Sequence, residues 1–177
     1  MSSTGFKINT KRFDPYKNFK FRVFWDNKPK PVLGISKVSS LKRSTEVVKH
    51  RSGGENSTDH KSPGRTTYEA ITCERGITHD TDFEEWANKV HPYAGDTQMD
   101  LAGFRKELIL EVLNEKGQVA LRYLLHDCWV SEFATTPDLD ANANAIAIEH
   151  IKIELEGWER DTQTKEPKET DDVSSSQ

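Results

Sequence analysis

The run Asp138-Leu-Asp140-Ala-Asn142-Ala-Asn144, with Glu149 at the twelfth position, comes nearest to a ligand-binding pattern in this sequence. Side-chain oxygens at loop positions 1, 3, 5 and 12 are what a calcium loop uses. Position six is Ala143, where the sharp turn of such a loop needs glycine. The run also follows Pro137 and leads into a strand-like stretch at Ala145, so it lacks flanking helices. An Asx-rich turn that hydrogen-bonds its own backbone explains the same residues. A calcium- or ligand-binding β domain is therefore the weaker reading.

The other reactive side chains are scattered. His50, His60, His79, His91, His126 and His150 form no i, i+4 pair, and Cys73 and Cys128 lie at no zinc-ligand spacing. Both cysteines sit in apolar patterns and are expected as buried thiols. The sequence has no phosphate-cradling glycine loop and no Gly-x-Ser-x-Gly elbow. No carboxylate pair falls in an apolar stretch that would perturb it. Trp25, Trp86, Trp129 and Trp158 do not interleave with basic residues as a nucleic-acid stacking run would. No catalytic, cofactor-binding or metal-binding residue is assigned, and the expectation is a protein that is not an enzyme.

The elements around these residues read mainly as strands. Phe19–Asp26, Pro31–Arg43, Thr67–Gly76, Arg105–Leu113, Gln118–Trp129 and Ala145–Gly157 are β-branched, aromatic or alternating. Asn114-Glu115-Lys116-Gly117 between two of them is a hairpin signal. Ile151, Ile153 and Leu155 alternate with Lys152, Glu154 and Glu156, which makes those three polar residues candidates for a water-facing surface. Arg105, Glu107 and Glu111 share a predicted face with Ile109 and Leu113. One helix is expected over Thr81–Val90. Thr81 and Glu84 have capping-box spacing, Phe83, Trp86, Ala87 and Val90 make one apolar stripe, and Pro92 stops it. Ser44–Thr66 reads as a long polar loop or arm, and Arg160–Gln177 as an acidic, solvated tail.

The chain of 177 residues is long enough for one domain, 1–159, plus that tail at 160–177. It carries 25 Lys+Arg against 29 Asp+Glu, a balance of −4, which gives no global signature of nucleic-acid binding. The charge is unevenly spread. Met1–Ala70 has 15 basic and 6 acidic residues, and the remainder has 10 and 23. Oppositely charged surfaces on one chain can steer assembly between copies. No stretch reaches the ~18 apolar residues of a membrane span. Met1–Tyr16 lacks a signal-like apolar core, so the expectation is a chain made in a reducing cytoplasm.

The order of motifs from Asp14 to Arg160 resembles the tail-tube protein family of contractile phages and of phage-derived contractile injection systems. Asp14-Pro-Tyr-Lys-Asn-Phe-Lys-Phe-Arg-Val23 is similar to the family's opening strand, and Gly34-Ile-Ser-Lys-Val-Ser-Ser-Leu41 to its second. Gly53-Gly54-Glu55 and Pro63-Gly64 look like marks of its long arm. Ile71-Thr-Cys-Glu-Arg-Gly-Ile-Thr78 then resembles the strand before the helix, and Phe83-Glu-Glu-Trp86 the helix motif. Leu139-Asp-Ala-Asn-Ala-Asn144 with Ile148-Glu-His-Ile151 looks like the closing turn and strand. Cys73 departs from the larger aliphatic residue usual there, and Val130 from the proline expected after Trp129.

The resemblance implies a small β-sandwich or barrel of about six strands with one flanking helix. Six copies would join their sheets into one large β-barrel ring, and rings would stack into a hollow tube. The partners it implies are further copies, a sheath protein, baseplate or spike proteins and tube-terminating proteins, with cargo in the lumen. Nucleic acid would enter only as passing cargo in a phage. The particle would be a phage tail or a phage-tail-like machine, assembled in the cytoplasm and in some systems released. A tube initiator at the baseplate hub is the alternative within the same family. Arg43, Glu46, Arg51, Glu55, Arg65 and Arg75, in and beside the arm, are the candidate assembly contacts. Lys152, Glu154 and Glu156 would face either the lumen or the outside.

Overall fold

Among the described residues, nine strands and one helix follow in chain order: β1 (Phe21–Trp25), β2 (Ile35–Val38), β3 (Arg43–His50), β4 (His60–Tyr68), β5 (Ile71–Gly76), α1 (Asp82–Val90), β6 (Lys106–Leu113), β7 (Val119–Ala134), β8 (Ile148–Glu154) and β9 (Gly157–Arg160). The computed structural model describes residues 16–25, 29–51, 53, 59–95, 99–139, 142 and 145–167. The main sheet runs β1-β6-β7-β8-β5-β2, every pair antiparallel, with β9 also paired to β7. β3 and β4 form a separate two-stranded ribbon. This is the mainly β fold with a flanking helix that the sequence predicts, with three more strands than expected among the described residues.

The β6–β7 hairpin forms where its turn chemistry places it. Gly117 adopts φ +81°, which costs a glycine nothing. The Asn114 side chain accepts a hydrogen bond from the Gln118 amide at 2.9 Å, so the turn is stapled from inside. β7 is 16 residues long and serves both halves of the sheet. Its first part pairs with β9 and its last part with β8 along the same edge. Between them Asp127 sits at φ +52°, and the Glu156 amide donates to the His126 carbonyl at 3.1 Å. At that point β7 changes partner from β9 to β8.

The core fills that fold. Trp25 of β1 lies 5.7 Å from the Phe83 ring and 5.0 Å from the Trp86 ring of α1. Trp86 donates its indole N–H to the Phe104 carbonyl at 2.7 Å, so the large ring is buried without an unmet donor. Leu108, Leu125, Ile151 and Ile153 complete the packing, and Cys73 and Cys128 lie fully buried among them. Burial of the α1 stripe gives a nine-residue helix its stability, since isolated helices of that length are marginal in water.

The start of α1 differs from the expected capping box. Thr81 makes no side-chain cap, and its hydroxyl instead donates to Glu85 at 2.7 Å. The Asp80 carboxylate accepts from the Asp82 amide at 2.9 Å and takes over the cap. The residue before the expected box thus satisfies the orphan donor. The predicted loop over Ser44–Thr66 is largely the β3–β4 ribbon. The predicted tail also begins later, because Arg160 closes β9, and Thr164 and the Gln163 amide both donate to the Asp161 carboxylate. Residues 168–177 lie outside the described residues.

Candidate assembly surfaces

The ribbon is the most exposed element of the chain, with every residue of β3 open to solvent. Hydroxyl pairs link its strands, Thr45 with Thr66 at 2.9 Å and Ser44 with Thr67 at 3.3 Å. The pairing then slips, so that Glu46 alone faces Gly64 and Arg65. A Cβ on Gly64 would come within 2.9 Å of Val48 Cγ2 and 3.2 Å of the Glu46 carbonyl, so glycine is required at this close approach. The root is held to the body. Lys42 pairs with Glu69 at 2.6 Å, Tyr68 packs edge-on to Trp158 at 6.4 Å, and the Arg43 guanidinium lies 6.0 Å from the same ring. Beyond the root, Val47 and Val48 stay 56% and 46% exposed, so the ribbon offers apolar surface that its own subunit does not cover.

The candidate contacts separate into three groups. Arg43, Glu46, Arg51 and Arg65 are all exposed on or beside the ribbon. Glu55 lies outside the described residues. Arg75 is a correction: it is not on a docking surface but 1% exposed inside the subunit. Its guanidinium pairs with Glu149, donates to the Asp80 carbonyl at 2.7 Å and stacks over the Phe83 ring at 4.1 Å. It ties β5, β8 and the start of α1 together. Glu149, the twelfth position of the calcium-like run, is consumed by that pair and sits on a strand, not in a loop. Asp140 and Asn144 of the run lie outside the described residues.

Lys152 and Glu154 fall on a polar face of the sheet formed by β2, β5, β8 and the end of β7. Lys37 pairs there with Glu74 at 2.7 Å, His150 meets Glu132 at 3.3 Å, and the Ser131 hydroxyl donates to Glu154 at 3.2 Å. Thr72, Lys152 and Glu132 occupy one cross-strand row. Glu156 is elsewhere, in the β8–β9 connection, paired with Arg105. The corresponding face of β1, β6 and β7 is mixed. Its row Phe24–Ile109–Leu124 lies beside a charged row in which Glu111 binds Arg122 at 2.6 Å and Arg22 at 3.6 Å. Register shifts near Lys106 and near Leu113 bracket this face, so the single five-residue face predicted from Arg105 to Leu113 is interrupted. Sequence reading missed Arg22 and Arg122, whose signal was the matching period-two position on three neighbouring strands.

The strand path of the main sheet ends on β1 and on β2. On the side of β1 away from β6, the Val32 amide donates to the Val23 carbonyl at 2.7 Å. β2 pairs with β5 on its other side. A cavity of about 450 Å³ lies between these ends, lined by Phe21, Leu110 and Val112 on one wall and Ser36–Ser39 on the other. Among the described residues, no helix is long and apolar enough to cross a membrane.

Known structures share this architecture. A chain of the anti-feeding prophage baseplate superposes with a TM-score of 0.69 at 19% identity, covering 84% of this chain and 97% of that one. A chain of the PVC extracellular contractile injection system, from its extended sheath–tube complex, gives 0.67 at 19% identity, covering 83% and 91%. A chain of the anti-feeding prophage tube-terminating cap gives 0.67 at 21% identity, covering 91% and 99%. No curated protein sequence matches. The family model of the T4-like virus tail tube protein gp19 matches residues 17–159, most of the chain and all of its strands but the last residue of β9. The chain belongs to the T4-like virus tail tube protein gp19 family and is a component of a phage tail or phage-tail-like particle.

Proposed function

We propose that this protein builds the inner tube by binding further copies of itself: six subunits close a ring, rings stack, and a sheath surrounds the tube. The sheath drives the tube through a target envelope, and the lumen conducts cargo. The subunit transforms no substrate.

The observation that carries this reading is the ribbon. A two-stranded hairpin with no packed face is marginal in water. Here β3 is exposed along its whole length and carries two adjacent valines in the open. A neighbouring copy supplies the missing burial. Ring closure needs a head-to-tail contact between unlike surfaces, and the ribbon and the sheet body are unlike. Joining sheet edges around the ring removes exposed edges by closure. An aqueous channel wants a wholly polar wall, which fits the face bearing Lys152 and Glu154 better than the mixed face bearing Phe24 and Ile109. Baseplate and terminator proteins would then meet the two ends of the stack.

Deleting Gly53–Ser62 tests the role. The variant is expected to stay folded and soluble, with the melting profile of the body intact, and to leave no tubes in the high-speed pellet. Tubes of normal length from that variant would overturn the ribbon's part. Single rings that never stack, from the intact chain, would favour the tube-initiator reading.

A further inference from the structure

The two strands of the ribbon bring together a pair of imidazoles that the sequence keeps ten positions apart. His50 and His60 are direct cross-strand partners at the outer end of the pairing. Directly opposed residues of an antiparallel pair place their Cβ atoms about 4.5–5.5 Å apart on the same face. Both histidines are exposed. We infer that His50 and His60 form a two-imidazole site for a divalent transition metal ion of the zinc, nickel and copper class.

The geometry suits that chemistry. Metal–imidazole bonds of about 2.0–2.1 Å put two ligating nitrogens roughly 3.3 Å apart around a tetrahedral ion, well within reach of rings rooted at that Cβ spacing. The next row inward, Lys49 opposite Lys61, projects to the other face by strand alternation and does not crowd the ion. Imidazole nitrogen is the donor these metals share, whereas calcium and magnesium prefer oxygen. Two protein ligands leave the remaining positions to water or to groups from another copy.

The same register gives the site a structural purpose. Lys49 and Lys61 are like charges placed directly opposite each other, which weakens the end of a ribbon that has no packed face. A metal bridge between His50 and His60 joins the strands one row beyond that repulsion. Metal binding would then be coupled to ribbon pairing, since only the paired strands present both nitrogens. The inference concerns the isolated subunit and stands apart from the tube reading.

Calorimetric titration of the full chain with nickel, copper and zinc chlorides at pH 7.5 tests it. One ion per chain is expected, with copper tightest. His50→Ala and His60→Ala should each weaken binding at least tenfold, while His79→Ala, in the turn before α1, should bind as the parent does. The proposal is overturned if the parent takes up none of the three metals, or if both ribbon variants bind as it does. A melting profile matching the parent's would show that the alanine variants are folded.

Discussion

Arg75 and Glu149 face each other across β5 and β8, and both side chains are inside the subunit, 1% and 8% exposed. An unpaired charge at such a depth is expensive, so each partner holds the other in place. Arg75→Met strands the Glu149 carboxylate and is expected to cost about 3–5 kcal/mol. Glu149→Gln keeps a hydrogen-bond acceptor for the guanidinium and should cost less. Urea unfolding of dilute, unassembled protein measures both. Equal, negligible losses would show that the pair does not hold the fold.

Gly64 separates ribbon geometry from body stability. A side chain there meets Val48 and the Glu46 backbone, so Gly64→Val should distort the ribbon without touching the core. The melting temperature is expected to stay at the parent value while sedimentable assemblies disappear. A variant that assembles normally would mean the strands tolerate the extra bulk.

The two cysteines give the stability a defined response to alkali. Burial pushes the Cys73 thiol from 9.0 up to about 12. Cys128 also rises to about 12, chiefly by burial, with the Glu107 and Asp127 carboxylates adding to it. In the unfolded chain both thiols ionise near 9, so the unfolded state loses protons first as the pH rises. Stability from this source is complete below pH 9 and falls between pH 9 and 12. Cys73→Ala should flatten that slope. Native protein at pH 8 should also resist iodoacetamide at both positions and react after denaturation, because the thiolate is the nucleophile. Fast labelling of the native state would contradict the burial.

Trp86 tests how α1 is held to the sheet. It anchors α1 by packing on Trp25 and by its bond to the Phe104 carbonyl. Trp86→Ala is expected to cost about 3–5 kcal/mol, whereas Trp86→Phe, which keeps a smaller aromatic ring but leaves that carbonyl without its donor, should cost clearly less. Thermal and urea unfolding distinguish the two.

What could be read in advance depended on whether a face is buried. The stripe Phe83, Trp86, Ala87, Val90 and the alternation Ile151, Ile153, Leu155 are legible because one side of each element meets the core. The ribbon is illegible for the opposite reason. Neither face of β3 is buried within the subunit, so nothing selects a period of two and its residues resemble a loop. Arg75 was misplaced although its signal was present: it shares the parity of Ile71 and Cys73, which assigns it to the core face. Trp158 belongs to a four-residue strand, too short to show alternation, and its neighbours Glu159 and Arg160 look like the start of a tail. The pairing of His50 with His60 depends on the ribbon register, which no spacing along the chain reveals.

Electron microscopy of the purified, concentrated full-length chain tests self-association into a tube most directly. Six-fold rings with an open centre, stacking end to end, are the expected image. Uniform compact monomers at every concentration, persisting when a sheath protein and a baseplate nucleus are supplied, would contradict it.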